Sequence, residues 1–493
     1  MRVLYIDIDS LRPDHLGCYG YSRPISPVID GIAAQGVRFS RCYATDTPCV
    51  PSRAALFSGH EGIRNGVVAH EHIPSASQLR YSNAHRYGGC PTLAHGLAQN
   101  GVHTASFTSF ANRHLVGWFS FGWREFHVTS LKNGDEDAPE VNDVFLPWLE
   151  TNAQKDNWFV HLNFWEPHTY YTQPREWFDF AAQFPAKAWP DAQTIAAQQR
   201  QTGVRSASHI WTEAEKTIHD RWPNMPKQLA NRADFEHLIN GYDGAIAFLD
   251  SQLEHVFNEL KLQGVWDETA IIISADHGEA FGEMGQYMEH GAASNAVHQI
   301  PLIVKWPGVT DQNAGGVCEE LVTNTDLATT ISRLLTGQKP EKWTGNSLEN
   351  ALRGQPSESP RETVVFSHGL HCRQRALFDG QFSFVRTYEP SYYEYEPRML
   401  FDLRSDPHQI HDVWAENRER ADAMEKQLAA WEHEQIAATG LPDPMREIAE
   451  IPVKVLGGVE AHLAVLEAEN RADDAARLRA IRARVASEYA AAD

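Results

Sequence analysis

The chain has 493 residues, enough for one large α/β domain and a smaller one. Its net charge of −22 excludes nucleic acid as the expected partner, because no overall basic field exists to neutralise phosphates. An anionic small-molecule substrate would instead need a local pocket of arginine, histidine or metal inside an acidic protein. The six cysteines, Cys18, Cys42, Cys49, Cys90, Cys318 and Cys372, form no C-x-x-C pair, which argues against a zinc ribbon and fits reduced thiols. Met1-Arg2 leads directly into an apolar run, and no stretch is apolar enough to span a membrane. The expectation is a cytoplasmic chain without membrane contact, or an exported one if a leader has been removed.

In chain order, Val3 to Ile8 reads as a buried strand, apolar but for Asp7. Pro27 to Gln35 reads as a helix capped by Ser26, and Phe39 to Tyr43 as a second strand leading to the loop at Cys49. Thr92 to Asn100 is expected as a helix, Val102 to Thr108 and Trp158 to Asn163 as strands. A long amphipathic helix follows over Ala233 to Leu262, then strands at Glu268 to Ser274 and Pro301 to Trp306. Strands alternating with helices predict an α/β fold, a large and mostly parallel sheet sandwiched by helices. Residues 175–232 read as a polar insertion. From residue 361 the pattern changes to short strands (Val364 to Phe366, Arg375 to Phe378, Phe382 to Arg386, Met399 to Asp402), a smaller antiparallel sheet, followed by a helix over Ala415 to Ala438. The expected domains are 1–360 catalytic, 361–440 a C-terminal α+β subdomain, and 441–493 a helical tail whose main helix runs from Val459 to Ala491.

In parallel sheets, active residues gather at the carboxyl ends of strands. Asp9, Cys49, His168 and Asp276 all lie just past candidate strands. Asp7 and Asp9 share one strand face, and hard oxygen donors on one face suit calcium or magnesium. Asp276-His277 at a strand end supplies a carboxylate and an imidazole, with Gly278 allowing a sharp turn. In Cys49-Val50-Pro51-Ser52-Arg53, Pro51 suits the first turn of a helix, so Cys49 sits at a helix N-terminus, where an anion is favoured, and Arg53 adds a permanent charge.

Cys49 to Arg53 resembles the C-x-P-S-R motif of type I sulfatases, members of the alkaline-phosphatase-like superfamily. The resemblance extends over nearly the whole chain. It includes Asp9 to Gly20, Leu56-Phe57-Ser58-Gly59, Glu166-Pro167-His168, Asp276 to Glu279, Glu289-His290-Gly291 with Ile300 to Gly308, and Leu400 to Pro407, all in the family's order. It implies that Cys49 is oxidised to formylglycine by a formylglycine-generating or radical maturation enzyme. It also implies that Asp9, Asp276, His277 and the modified Cys49 hold a divalent metal, calcium being the expected ion, with Arg53 orienting the aldehyde hydrate. Asp7 is a further candidate ligand. His168 and His290 would hold or protonate the ester, and His114, with Arg113 beside it, would act as base. The implied reaction is covalent: a hydrate hydroxyl attacks sulfur, the alcohol leaves, and the second hydroxyl loses a proton as sulfate is expelled and the aldehyde returns.

The chain departs from the pattern at four places. Asp9-Ser10 replaces Asp-Asp, Phe107 to His114 replaces G-K-W-H-x-G, Glu166 replaces the aspartate of D-P-H, and no lysine lies between Glu289 and Pro301, so His290 would serve there. His70, His72, Arg113, His368, His371, Arg386, Arg373 and the Tyr392 to Tyr395 cluster are candidate substrate contacts. The implied substrate is a small sulfated molecule, a saccharide by family habit. The alternatives are a phosphonate monoester or phosphodiester hydrolase of the same superfamily, and a catalytically silent glycan-binding homologue. A homo-oligomer is left open.

Overall fold

The computed structural model describes residues 1–80, 92–132, 134–449, 451, 453 and 458–490; Cys90 lies outside the described residues. The five other cysteines are free thiols. Among the described residues, no helix is long and apolar enough to cross a membrane.

The centre of the molecule is a nine-stranded sheet. Its spatial order is Gly316–Cys318, Val37–Tyr43, Gln299–Lys305, Thr269–Ala275, Arg2–Ile8, Trp158–Phe164, His103–Phe107 and Glu125–His127, with Val322–Thr323 also paired to Val37–Tyr43. Gln299–Lys305 runs antiparallel to both its neighbours, and the other pairings are parallel. Arg2–Ile8 is buried along its whole length, as its nearly unbroken apolar run requires of a strand covered on both faces. Asp7 breaks that run and faces Asn163 and Ser274 across the sheet.

The helix Arg232–Leu262 covers one face. Asn231 caps it, its side chain accepting from the backbone N–H of Ala233 and Asp234. Leu238, Tyr242, Ile246, Leu249, Leu253, Val256 and Leu260 recur every three or four residues and form its buried stripe. The Tyr242 hydroxyl reaches from this stripe to the first site loop, accepting from Arg12 N at 2.9 Å and donating to Ser10 O at 2.7 Å.

The smaller sheet has five strands. Arg398–Asp402, Phe382–Glu389, Arg373–Phe378 and Val364–His368 form the antiparallel meander, and Asp46–Thr47 adds a parallel strand at its edge. The segment just ahead of Cys49 therefore belongs to the second sheet, which the local pattern alone does not show. The tail also differs from expectation. It forms two helices, Val459–Ala468 and Ala472–Ala490, because Asn470 takes a left-handed φ of 61° and turns the chain between them. Leu463, Leu466, Ala475 and Leu478 pack into the core of the small sheet.

Arg375, fully buried on that sheet, donates to Asp443 at 2.6 Å and to Glu432 at 2.9 Å. Burial acts to raise the Asp443 pKa, but Arg375 outweighs it and holds it below the ordinary aspartate value. Arg375→Met would leave Asp443 unpaired, and we expect a loss of about 3–5 kcal/mol in urea unfolding at pH 7. The sign follows from the depressed carboxylate: the wild-type advantage is present above pH ~4 and shrinks below it. A loss below ~1 kcal/mol, the range of exposed pairs, would contradict this.

Candidate active site

Cys49 opens the helix Cys49–Ser58, all of whose residues are buried. Its Sγ lies 3.2 Å from His277 Nε2. Burial, with Asp9 and Asp276 nearby, pushes the thiol pKa well above its ordinary value. The expected anion-binding N–H groups are largely committed. Val50 N points to His70 Nε2 at 3.5 Å, Ser52 N donates to Pro48 O at 3.0 Å, and Pro51 has none.

Arg53 sits among three buried carboxylates. Its Nε donates to Asp7 Oδ2 at 2.7 Å, and its Nη1 to Asp9 Oδ2 at 3.1 Å and Asp276 Oδ2 at 2.6 Å. Its guanidinium stacks over Phe110 at 4.6 Å. Asp7 also accepts from His161 Nε2 at 3.1 Å. Burial lowers the pKa of His161 and of His277, so both favour the neutral form. Three carboxylates against one guanidinium leave an excess of negative charge in a water-poor site. The strain shows in the titration: Arg53 overcomes burial and holds Asp7 and Asp9 low, while burial and the other two aspartates push Asp276 up.

A divalent cation would offset this excess, and the donors for one are in place. Ligating atoms of Asp9, Cys49, Asp276 and His277 all lie within 4.8 Å of one another, and all four residues are buried. Carboxylate oxygens with one imidazole suit a hard cation. Asp7 does not join this group; its Oδ2 is held by Arg53 and His161. Ser10 does touch it: its Oγ donates to Asp9 Oδ1 at 3.1 Å and its backbone N to Asp276 Oδ1 at 3.2 Å, from a left-handed backbone at φ 60°.

A second group, Cys49, His168 and His290, has ligating atoms equally close together. The ring centroid of His290 is 4.4 Å from that of His277 and 5.5 Å from that of His168. The two candidate ester histidines are in opposite states. Burial lowers His168 to about 3. Burial also opposes charge on His290, but Glu279, with Oε1 3.5 Å from Nδ1, and Glu289, with Oε1 3.7 Å from Nε2, outweigh it and raise it to about 9. His114 lies one ring away from His70, at 4.7 Å, and its Nδ1 meets Glu71 Oε2 at 3.2 Å. Burial lowers its pKa to about 4. Arg113 lies over Trp165 at 4.8 Å, beside the His168 loop.

Other expected contacts are not brought in. Arg386 pairs with Glu425 and Glu432 on the helix Arg418–Thr439. His72 is exposed, and Arg373 reaches the carbonyls of Ala449 and Ile451. Tyr392, Tyr393 and Tyr395 are buried and packed on one another, leaving no open face for a sugar. His368 is fully buried, its Nδ1 on Thr47 Oγ1 at 3.0 Å. His371 comes nearer, with Nε2 3.8 Å from Glu289 Oε1. Glu279 and Glu289, which set the state of His290, carried no assigned role from the sequence. Their signal was adjacency, each being one or two residues from a site histidine.

The family model of the sulfatases matches residues 2–337, more than half of the chain. The chain belongs to the sulfatase family. A second model, N-sulphoglucosamine sulphohydrolase, C-terminal, matches residues 282–435 of this sulfatase. It is 23% identical over 453 residues to the uncharacterized sulfatase YidJ of Escherichia coli K12, covering 83% of this chain and 82% of that one. Its fold is that of BT4656 in complex with its substrate D-glucosamine-2-N,6-O-disulfate (TM-score 0.70, 19% identity, 90% of this chain and 99% of that one). It is equally the fold of the phosphonate monoester hydrolase of Agrobacterium radiobacter (TM-score 0.68, 20% identity, 88% and 96%). The expected alkaline-phosphatase-like α/β architecture is thus observed, and by family this is a sulfuric ester hydrolase.

The charge excess predicts a metal response. Calcium added to the chelator-treated protein should raise its melting midpoint, by the equivalent of about 2.7 kcal/mol at a hundredfold excess over Kd. Asp276→Asn, which removes a ligand and part of the charge excess, should abolish most of that increment. An equal increment in wild type and variant would place the cation elsewhere.

Proposed function

We propose that this sulfatase hydrolyses a sulfate ester on a small saccharide, using a formylglycine made from Cys49 and a divalent cation, calcium. One observation carries the reading: Cys49 with its metal-binding donors, and His290 flanked by Glu279 and Glu289, converge at the strand ends. Asp9, Asp276, His277 and residue 49 would hold the cation, which supplies Lewis-acid charge to a transferred sulfuryl group. A converted Cys49 supplies an oxygen nucleophile where burial keeps the thiol protonated. That conversion calls for a maturation enzyme as a partner.

The chain's own residues divide the remaining work. Arg53 fixes the three aspartates, and Ser10 orients two of them. His290, kept charged by Glu279 and Glu289, is the proton donor to the leaving alcohol. His168, held neutral, positions the ester. His114, its Nδ1 committed to Glu71, presents a neutral ring as base. A cavity of about 390 Å³, lined by Trp165, His168, Tyr170, Arg221 and Trp222, opens beside His168 and has room for a small ring-bearing alcohol. The saccharide class is supported by this cavity and by the disulfated glucosamine bound by the structural neighbour BT4656.

A second reading, phosphonate monoester hydrolysis, is favoured by the single aspartate in Asp9-Ser10 and by the likeness to the Agrobacterium radiobacter hydrolase. Parallel assays of the matured enzyme on aryl sulfate and aryl phosphonate separate the two. The sulfate reading expects the higher kcat/KM on the sulfate, and a higher value on the phosphonate overturns it. Within either reading, His290→Gln should cut kcat about 10²- to 10⁴-fold for an alkyl leaving group and far less for nitrophenol, which needs no proton. Equal losses on both would remove His290 from the acid role.

A further inference from the structure

The tail helices lie beyond both family-model matches, yet they grip a turn that enters the site. His462 Nε2 accepts from Gly203 N at 3.0 Å. Arg471 donates to Ser208 Oγ at 3.0 Å and to Gln201 O at 3.1 Å, and Glu469 meets His209 Nε2 at 3.0 Å. The same helices clamp the loop that packs on this turn: Arg482 pairs with Glu389 at 2.6 Å and Arg477 with Glu394 at 2.9 Å, while Thr202 Oγ1 and Tyr393 OH hold loop and turn together. Gly203 leaves room for Tyr393, since a Cβ there would lie 2.6 Å from its ring.

The turn presents Arg205, which is 6% exposed and has a left-handed φ of 66°, a backbone that a long side chain adopts only under constraint. Arg205 stands between the two histidine loops. Its Nη2 donates to Tyr170 OH at 3.3 Å and to Glu215 Oε1 at 2.6 Å, and Tyr170 is two residues past His168. Its Nε lies 3.9 Å from Glu289 Oε2, and its carbonyl accepts from Tyr287 N at 2.8 Å, next to the carboxylate that faces His290.

We propose that the C-terminal helix pair is a positioning element of the active site, acting through Arg205 to hold the His168 and His290 loops at their working separation. This rests on the preceding reading only in taking those histidines to act on the ester. Neither the tail nor Arg205 touches the reacting atoms. Their contribution is geometric, and errors of 1 Å cost on the order of 10²-fold in rate.

The test uses full-length Arg471→Met and Glu469→Gln, each measured by hydrogen exchange and by aryl-ester kinetics. Protection should fall at 200–209 and also at 166–171 and 287–291. kcat should fall on the order of 10-fold with KM little changed, as expected for partial misplacement. In an Arg205→Met background the tail variants should cost no further kcat. Loss of protection at 200–209 alone, or kcat losses that multiply with Arg205→Met, would overturn the proposal. If Arg205→Met fails to fold, Arg205→Lys keeps the charge with a shorter reach and serves as the background. If wild type turns over neither ester, the functional reading fails, and the exchange pattern alone decides this one.

Discussion

The structure depends on a charge that the protein does not balance by itself. Three aspartates from two adjacent central strands and the loops beyond them converge on one guanidinium, all of them nearly or wholly out of water. Buried charge in this arrangement is costly unless paired. Arg53 offsets only part of that charge. The excess sits at the ends of parallel strands, beside Asp9, Cys49, Asp276 and His277, whose donor atoms could hold a dication.

The two sheets are joined at this point. Asp46–Thr47 pairs with Val364–His368, so the chain enters the helix Cys49–Ser58 from the smaller sheet, and Thr47 Oγ1 ties His298 to His368 there. Across the site, Glu289 answers to His290, His371 and Arg205 together. The face of the candidate site is therefore built by three parts of the chain distant in sequence: the central strands, the meander and residues 175–232.

This explains what could be read from the sequence. That Asp9, Cys49, Arg53, Asp276 and His277 lie together was legible because each stands in a short string at a strand or helix end, and such strings fix local geometry by themselves. Asp7 was read as a ligand because strand alternation shows which face it shares but not that Arg53 and His161 would hold its Oδ2. Arg386 and the tyrosines of 392–395 were read as substrate contacts from chemistry alone. Their partners, Glu425, Glu432 and Gly203, come from elements far away in sequence and consume those groups. Arg205 carried no local signal, since its role depends on a turn held by helices more than 250 residues later. The fold class was legible because the alternation of apolar strands and amphipathic helices is periodic, whereas the break at Asn470 depends on one residue's backbone.

The central claim is that residue 49 acts as an oxygen nucleophile and not as a thiol. It is tested most directly by mass spectrometry of the tryptic peptide from Cys42 to Arg53, taken from protein coexpressed with a formylglycine-generating enzyme. The account predicts a peptide in which Cys49 has lost hydrogen sulfide and gained oxygen. A peptide carrying only the intact thiol would contradict it and move the silent, glycan-binding alternative to the front.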